Sequence, residues 1–399
     1  MDHLQYMSLL RSGPIAKELP FTQEEYDERV AKVRAEMAAD GLDGLIVVSP
    51  ANLHYLSGYY TFSISNLTAL VLPVDGDAGV VTASCEIPAA VLSGWVEDVV
   101  SFAWDEGGLV ASKVAAMLET RGLGNKRIGI EMARGGHVPE LVAEMGGTLP
   151  NASIVDASGV VERVRKVKSP KELEYMREAG RMSVEGVNAS LRAIAPGVTD
   201  NDLAQVGYST IIGAGSEFMS TPPIVTTGYR ASWHHTTFRR VPMNAGDVAF
   251  FEYSGCYHRY NAPIMRTGVL GEPSDEVRRI GEAVKRTLEL VIEGAKAGRT
   301  SHDVAQDAHK GYAGMEDEMW FMGICGYSVG AGFPPTWADG ATFIAEGNDE
   351  TLVPGMTFHL PIMFRIPRRF GVGMSETIAI TEDGCEVLTE ESRDLYVTG

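Results

Sequence analysis

The sequence contains few cysteines and no long apolar run. Its 399 residues include four cysteines, and no two of them form a Cys-x-x-Cys pair. That spacing predicts free thiols in a reducing compartment, with a catalytic thiol as an open alternative for Cys256 and Cys325. No apolar stretch reaches the ~18 residues that a membrane-spanning helix needs, and the first residues lack a basic segment followed by an apolar one. We therefore expect a cytoplasmic protein without a membrane span.

Basic residues are also scarce. The 34 lysines and arginines are outnumbered by 53 aspartates and glutamates, which gives a net charge of −19 and a sequence pI of about 4.9. Nucleic acids and anionic membranes bind proteins through basic patches, so neither is an expected partner, and a small molecule is. An acidic surface favours solubility and is also common in a salt-rich cytoplasm. The length predicts two domains, with three as the alternative.

The first part of the chain alternates helical and extended patterns. Thr22 and Glu25 predict a capping box at the start of a helix whose apolar residues recur at helical spacing. Strands are predicted at 44–48, 69–73, 79–83, 99–103 and 127–131, and a further helix at 109–120. This alternation predicts an N-terminal α/β domain over residues 1–158.

A second domain is predicted over residues 159–399. Ser169 and Glu172 form another capping-box pattern ahead of a long amphipathic helix. Residues 196–205 resemble residues 297–306, and each copy follows such a helix. The similarity predicts an internal repeat, with chance likeness between two helix–turn–helix segments as the alternative explanation.

Four segments of the second domain carry a family resemblance. They are residues 246–267, 326–330, 355–361 and 375–381. Together they resemble the pita-bread superfamily of aminopeptidases, prolidases and creatinase, and the resemblance covers essentially the whole chain. It implies an α/β N-terminal domain followed by an α+β pita-bread domain with a pseudo-two-fold internal repeat. The repeat described above agrees with that implication.

The metal ligands of that superfamily are missing from the matching segments. Its metal-dependent members carry acidic residues and a histidine at five positions. These positions hold Glu252, Pro263, Tyr327, Pro361 and Ser375, or its neighbour Glu376, in this chain. A pair of divalent ions needs several carboxylates and usually an imidazole, which proline and tyrosine cannot replace. We therefore expect no functional metal and no other cofactor.

His235, Glu252 and Glu376 are the candidate catalytic residues. His235 precedes Gly246 at the separation where the superfamily has a proton-transferring histidine, and imidazole suits that role because its ordinary pKa lies near neutrality. His234 either orients it or is simply exposed. Glu252 ends an apolar run, so it is either hydrogen-bonded within the fold or available as a nucleophile or charge partner. The Glu376 side chain can point to either face of its strand, because strand side chains alternate faces.

Four residues of the second domain are predicted to bind the substrate, and His234 is one of them. Tyr327 supplies a hydroxyl where the superfamily has a metal ligand, or fills the space of that ligand. Trp337 is expected to form an apolar or cation–π wall. Arg369 is the candidate for holding a carboxylate, although a solvated loop is the simpler explanation of the arginines at 365, 368 and 369.

The first domain is also expected to contribute to the site. Residues 52–60 resemble the loop that creatinase- and prolidase-like proteins bring toward a dimer-related active site. Tyr59, Tyr60 and Phe62 are the aromatic residues predicted to cover the pocket, and Tyr60 is our candidate for contact with the substrate. The resemblance therefore implies a homodimer.

Within the superfamily, the motifs together resemble the metal-free ectoine hydrolases. Met265 and Tyr327 depart from creatinase, which has a glutamate and a histidine at those positions. The resemblance implies opening of the cyclic amidine of ectoine, and also of hydroxyectoine. Glu252 suits the cationic ring, and His235 suits protonation of the leaving nitrogen. The alternatives are a creatinase-like or sulfonium-lyase-like enzyme for another small cationic metabolite, and a catalytically inactive binding module.

Overall fold

The computed structural model describes residues 1–133 and 138–398. The chain divides into two compact units, Met1–Arg165 and Lys166–Gly399. The division falls beyond the predicted boundary at residue 158. Val160 and Val161 are buried in the core of the first unit, so the short helix that carries them belongs to that unit.

The first unit is a mixed α/β fold, as the sequence predicts. Its elements are α1 (His3–Ser12), α2 (Gln23–Ala39), β1 (Gly44–Val47), α3 (Pro50–Ser57), β2 (Ala69–Pro73), β3 (Gly79–Ala83), α4 (Ile87–Leu92), β4 (Asp98–Phe102), α5 (Val110–Thr120), β5 (Arg127–Ile130), α6 (Val138–Thr148), β6 (Ser153–Asp156) and α7 (Val160–Arg165). The strands of the described residues form one sheet in the order β4-β3-β2-β1-β5-β6. The β1–β2 and β2–β3 pairs are antiparallel and the other pairs are parallel.

The second unit is an α+β fold built around a large antiparallel sheet. Its elements are α8 (Pro170–Arg192), α9 (Asp200–Gly213), β7 (Ile224–Thr227), β8 (Val248–Tyr257), β9 (Tyr260–Val269), α10 (Asp275–Gly294), α11 (Ser301–His309), β10 (Ile324–Phe333), β11 (Thr336–Ala345), β12 (Thr357–His359), β13 (Ile362–Ile366), β14 (Phe370–Met374), β15 (Thr377–Ile380), β16 (Cys385–Val387) and β17 (Tyr396–Val397). In the part of the chain that the structure describes, the sheet order is β16-β15-β12-β10-β9-β8-β7. β11 pairs with β10, β17 pairs with β9, and β13 and β14 form a separate hairpin.

Local sequence signals explain where the helices begin. The Ser169 hydroxyl accepts a hydrogen bond from the Glu172 amide at 3.2 Å, and the Glu172 carboxylate accepts one from the Ser169 amide at 2.8 Å. The predicted capping box of α8 is therefore confirmed. At α2, Thr22 accepts from the Glu25 amide at 3.4 Å, which confirms Thr22 as the N-cap.

The internal repeat is visible in the structure. The pair α8–α9 precedes the ten-residue strands β8 and β9, and the pair α10–α11 precedes the ten-residue strands β10 and β11. Thr199 and Thr300 occupy the same N-cap position in the two halves. The predicted pseudo-two-fold repeat is therefore confirmed. None of the helices in residues 1–133 and 138–398 is long and apolar enough to cross a membrane.

Buried thiols argue against a catalytic cysteine. Cys256 and Cys325 are 0% and 2% exposed, and all four cysteines are free. Burial raises the pKa of both thiols to about 12. Since the thiolate is the nucleophilic form, neither side chain is activated at neutral pH.

Candidate active site

A cavity of about 570 Å³ lies between β8, β10, β11 and the loops that precede β7 and β8. Its volume is within the range of about 300–1,000 Å³ that is usual for small-molecule sites. The lining side chains that can act as acids, bases, nucleophiles or hydrogen-bond donors are Glu252, His234, His235 and Tyr327. The apolar part of the lining includes Ile224, Met322, Ile324, Trp337 and Phe343. The structure thus brings together five of the residues that the sequence nominates.

Among the residues that the structure describes, Glu252 is the one carboxylate in the lining of this cavity. It lies in β8, opposite Ile224 of β7 and Met265 of β9, and it is 8% exposed. Burial raises the pKa of its carboxyl group to about 8, and the charge of Arg365 opposes that rise. Within residues 1–133 and 138–398, no group hydrogen-bonds or forms an ion pair with the Glu252 carboxylate. Such a buried acid is stabilised by a cation that enters the cavity.

Arg365 is near enough for its charge to lower the pKa of both Glu252 and His234, although it is not among the residues that line the cavity. It lies in β13, is 6% exposed, and its guanidinium carbon is 5.4 Å from the centroid of the Trp320 ring. Burial lowers its pKa to about 10, and the charge of Glu252 opposes that change. Its Nε atom is buried without a hydrogen-bond partner in the described residues. Sequence reasoning named this arginine only as one of a cluster, because a buried strand position was not recognised there.

Arg369, the arginine we predicted to hold a carboxylate, lies elsewhere. It lies in the turn between β13 and β14, and its guanidinium pairs with the Glu276 carboxylate at 2.9 and 2.5 Å. The Arg369 side chain is 58% exposed. The structure does not bring it to the lining of the cavity.

The two histidines lie on a loop that follows the 3₁₀ turn Gly228–Ser232. Arg230 braces the loop by donating to the Thr236 hydroxyl at 2.9 Å and to the Thr237 carbonyl. His235 has a positive φ of 50°, and its ring centroid is 3.9 Å from that of His234. Burial, Arg365 and His235 lower the pKa of His234 to about 4, so His234 is neutral at neutral pH.

Tyr327 and Trp337 also line the cavity, and next to Tyr327 lies a buried histidine that the sequence reasoning missed. The indole N–H of Trp337 donates to the Tyr327 hydroxyl oxygen at 2.8 Å, and that oxygen is 2.7 Å from Nδ1 of His359. Nε2 of His359 is 2.6 Å from the Ser375 hydroxyl oxygen. His359 lies within the segment 355–361, but family matching directed attention to Pro361.

Glu376 points away from the hydrogen bonds that join Tyr327, His359 and Ser375. Its carboxylate is 2.7 Å from the Arg266 guanidinium, 2.7 Å from the Thr389 hydroxyl and 3.1 Å from Nε of Arg393. Glu376 is 0% exposed and does not line the cavity. Its neighbour Ser375 points toward His359, as alternation along an extended segment requires. The structure therefore places Glu376 in a buried ion pair rather than among the cavity groups.

The aromatic residues of the first unit differ in environment. Tyr59 is 2% exposed, and its hydroxyl donates to the Glu86 carboxylate at 3.0 Å, so it is a core residue rather than a residue available to cover the pocket as predicted. The Tyr60 amide donates to the Ser93 hydroxyl at 2.9 Å. Phe62 is 80% exposed. The contribution of Tyr60 to a partner's pocket stays a prediction.

The cavity residues do not fit a pair of divalent metal ions. Pro263 and Pro361 have no donor atom in their side chains, and Ser375 is engaged with His359. Within the described residues, no group of three or more His, Cys, Asp or Glu side chains is arranged to hold a metal ion. A dinuclear centre needs several carboxylates, and Glu252 is alone in this lining.

Comparison with known sequences places the chain in a family. The model of metallopeptidase family M24 matches residues 174–382, and that of the creatinase/prolidase N-terminal domain matches residues 29–167. Ectoine hydrolase of Halomonas elongata is 31% identical over 95% of this chain and 98% of its own length. The uncharacterized hydrolase/peptidase y4tL of Sinorhizobium fredii is 32% identical over 94% and 97%.

Solved structures agree on the fold. A prolidase from Thermococcus sibiricus has a TM-score of 0.83 at 22% identity, covering 94% of this chain and 99% of its own. An Xaa-Pro dipeptidase from Bacillus anthracis has a TM-score of 0.82 at 21% identity, covering 94% and 100%. At these identities the likeness supports the fold alone. The chain belongs to the metallopeptidase M24 family of pita-bread hydrolases and carries the creatinase/prolidase type of N-terminal domain.

Proposed function

We propose that this protein hydrolyses the cyclic amidine ring of ectoine, and also of hydroxyectoine, to N-acetyl-diaminobutyrate without a metal ion. The observation that carries the proposal is the buried, unpaired carboxylate of Glu252 in the cavity lining. An amidine is protonated at neutral pH, so it supplies the cation that this carboxylate lacks. The identity of 31% with an ectoine hydrolase over nearly the whole chain supports the same assignment.

Amidine chemistry also accounts for the missing metal ligands. The ring carbon of a protonated amidine lies between two nitrogens and is already electrophilic, so it does not require a Lewis acid. The metallopeptidases activate water on a metal for the less electrophilic peptide carbonyl. A cavity that offers one carboxylate and two imidazoles is sufficient for the amidine, provided that one group attacks and another transfers a proton.

In the proposed route, a Glu252 carboxylate oxygen attacks the ring carbon, and the C=N π pair moves to a ring nitrogen. His235 protonates one nitrogen as its bond to that carbon breaks, which leaves the carbon bonded to Glu252 and doubly bonded to the other nitrogen. Water then attacks the same carbon and loses a proton to His235. Breaking the bond to Glu252 releases its carboxylate and the N-acetyl product. In the alternative route water attacks directly, and Glu252 only holds the amidinium.

Turnover assays test the proposal. Purified protein in metal-depleted buffer is incubated with ectoine, hydroxyectoine, creatine and dimethylsulfoniopropionate, and products are identified by mass spectrometry. We expect N-acetyl-diaminobutyrate from ectoine and no turnover by Glu252→Gln, which keeps the shape of the side chain and removes its charge. Consumption of creatine or the sulfonium compound instead of ectoine would favour the rival enzymes, and no turnover of any compound would favour a binding module.

Rapid quench distinguishes the two routes. Under single-turnover conditions with intact-mass detection, attack by Glu252 predicts a transient protein species that carries the added mass of the substrate. Turnover in ¹⁸O water should place the label in the acetyl carbonyl of the product on either route, because water attacks the substrate carbon in both. If no protein species with the added mass is found while product forms at the normal rate, attack by water is the correct route and Glu252 is an electrostatic partner of the ring.

A further inference from the structure

A continuous series of hydrogen bonds lies behind the cavity wall. It runs from the indole N–H of Trp337 to the Tyr327 hydroxyl, then to His359, then to the Ser375 hydroxyl, and ends at the backbone N–H of Met265. The four separations are 2.8, 2.7, 2.6 and 2.6 Å. Trp337, His359 and Ser375 are 3%, 0% and 0% exposed. Water is therefore not available to satisfy the interior members.

The direction of this series can be derived from its two ends. The indole N–H and the backbone N–H can only donate, so the Tyr327 and Ser375 oxygens each accept one hydrogen bond. Between them lies His359, and burial lowers its pKa to about 3. The ring is therefore neutral and carries one N–H, on either Nδ1 or Nε2.

With the proton on Nε2, the series leaves a donor without a partner. The Ser375 oxygen would then accept from both Met265 and His359, and the Ser375 O–H would need an acceptor of its own. Among residues 1–133 and 138–398, no further acceptor lies within hydrogen-bond distance of Ser375. A fully buried hydroxyl without an acceptor is unfavourable, so this arrangement is disfavoured.

With the proton on Nδ1, every interior donor has an acceptor. Ser375 donates to Nε2 of His359, and Nδ1–H of His359 donates to the Tyr327 oxygen. That oxygen also accepts from Trp337, so the Tyr327 O–H is not used by the series. Burial and the Glu252 charge both raise the Tyr327 pKa well above its ordinary value, so the hydroxyl keeps its proton.

We infer that His359 and Ser375 are positioning residues that hold Tyr327 as an obligate hydrogen-bond donor into the cavity, where it receives the carboxylate of the substrate. This inference rests on the proposed function for the identity of the substrate. The amidinium end of such a ligand carries only donors and belongs at Glu252. Its carboxylate end carries only acceptors and therefore requires a donor such as the Tyr327 O–H.

The first test needs no substrate. Protein labelled with ¹⁵N in its histidines is observed by long-range ¹H–¹⁵N NMR, which distinguishes the Nδ1–H from the Nε2–H form of a neutral ring. We expect one Nδ1–H signal that is absent from His359→Gln and persists down to about pH 5. An Nε2–H signal for His359 would overturn the inference, whatever the substrate of the protein is.

The second test measures which end of the ligand Tyr327 recognises. Dissociation constants of ectoine and of 2-methyl-1,4,5,6-tetrahydropyrimidine, which is the same ring without the carboxylate, are measured by calorimetry. We expect Tyr327→Phe to raise the dissociation constant of ectoine by about 10- to 100-fold, the range for a hydrogen bond to a charged group. The dissociation constant of the ring compound should change less than about 3-fold.

The outcomes separate the two proposals. Equal weakening of both ligands by Tyr327→Phe would overturn the role in carboxylate binding. Failure of the unaltered protein to bind ectoine would overturn the proposed function, while the NMR result would still decide the direction of the series. Ser375→Ala should also weaken the binding of ectoine more than that of the ring compound. The effect should be smaller than that of Tyr327→Phe, since Ser375→Ala removes only the donor that fixes the His359 tautomer.

Discussion

Arg266 and Glu376 form a buried ion pair that links β9 to the segment just before β15. The separation between Nη2 and Oε1 is 2.7 Å, and the two side chains are 1% and 0% exposed. Arg266 also donates to the backbone carbonyls of Ser375, Ser392 and Glu391. Removing one partner of such a pair leaves an uncompensated buried charge.

We therefore expect Glu376→Gln to act on stability. The free energy of unfolding should fall by about 3–5 kcal/mol in urea titrations, because Arg266 loses its counter-charge. Glu386→Gln is the matched control, since the Arg177–Glu386 pair is exposed and such pairs contribute about 0–1 kcal/mol. A ~100-fold loss of kcat with unchanged stability would instead place Glu376 in the chemistry.

The two histidines of the cavity should differ in their effect on kcat. His235→Ala should lower kcat by ~100- to 10,000-fold, which is the usual contribution of a positioned acid–base group. His234 is neutral near pH 7 and adjoins Arg365 and Trp320, so His234→Ala should act mainly through KM. Stopped-flow single-turnover rates and circular dichroism would separate chemistry from folding. If His234→Ala is the more damaging variant, the two roles are exchanged.

Much of the fold can be predicted from the sequence, because its signals are local. The strands Ala69–Pro73 and Gly79–Ala83 have the predicted bounds, and Ser169 caps its helix as its spacing with Glu172 requires. Capping and hydrophobic period depend on neighbouring residues only. The overall architecture follows from these elements together with the internal repeat, in whose first copy Thr199 is the N-cap of α9.

The site is less predictable because it depends on strand register. A slip of one residue exchanges the two faces of a strand, and that difference separates Ser375, which faces His359, from Glu376, which faces Arg266. The choice between Arg365 and Arg369 has the same origin, since one lies inside β13 and the other beyond its end. His359 was missed because its importance arises from Tyr327 on a neighbouring strand.

Chelation should leave activity intact. Since the side chains at the cavity do not supply the ligands that a pair of divalent ions needs, treatment with EDTA followed by desalting should change kcat by less than about 2-fold. Elemental analysis of the purified protein should find no stoichiometric zinc, manganese or iron. Stoichiometric metal together with loss of turnover after chelation, restored by added metal, would contradict this prediction.

A homodimer is predicted, with Tyr60 of one chain completing the pocket of the other. Light scattering should give twice the mass of one chain, which is 43.0 kDa. The Tyr60→Ala protein should be weakly active and the Glu252→Gln protein inactive, and activity should be regained when the two are unfolded together and refolded as mixed dimers. In such a dimer one pocket combines an intact Glu252 with the partner's intact Tyr60. A fully active monomer, or mixing without recovery, would exclude the shared pocket.

The pH dependence of catalysis should follow Glu252. Burial places its carboxyl pKa at about 8, and both proposed routes need the ionised form. The value of kcat/KM, which reports groups of the free enzyme, should therefore rise with pH and level off above about pH 8. A profile that is flat between pH 6 and pH 9 would show that the ionisation of Glu252 does not limit the reaction.

The same carboxylate should make the native protein less stable as the pH rises. Its folded pKa of about 8 is raised above the ordinary value of 4.5, so its stabilising contribution is complete below about pH 4.5 and is lost as the pH rises through 8. The glutamine of Glu252→Gln cannot ionise. The free energy of unfolding of this variant should therefore rise by about 2–5 kcal/mol relative to that of the unaltered protein between pH 5 and pH 9. Glu386 is a control without a pH trend in this range, because Arg177 lowers its pKa and its contribution is lost only as the pH falls below about 4.5. Thermal unfolding of both variants across this range tests the assignment. If the advantage of Glu252→Gln does not grow with pH, Glu252 is already paired in the empty cavity, and the argument that it awaits a cationic substrate fails.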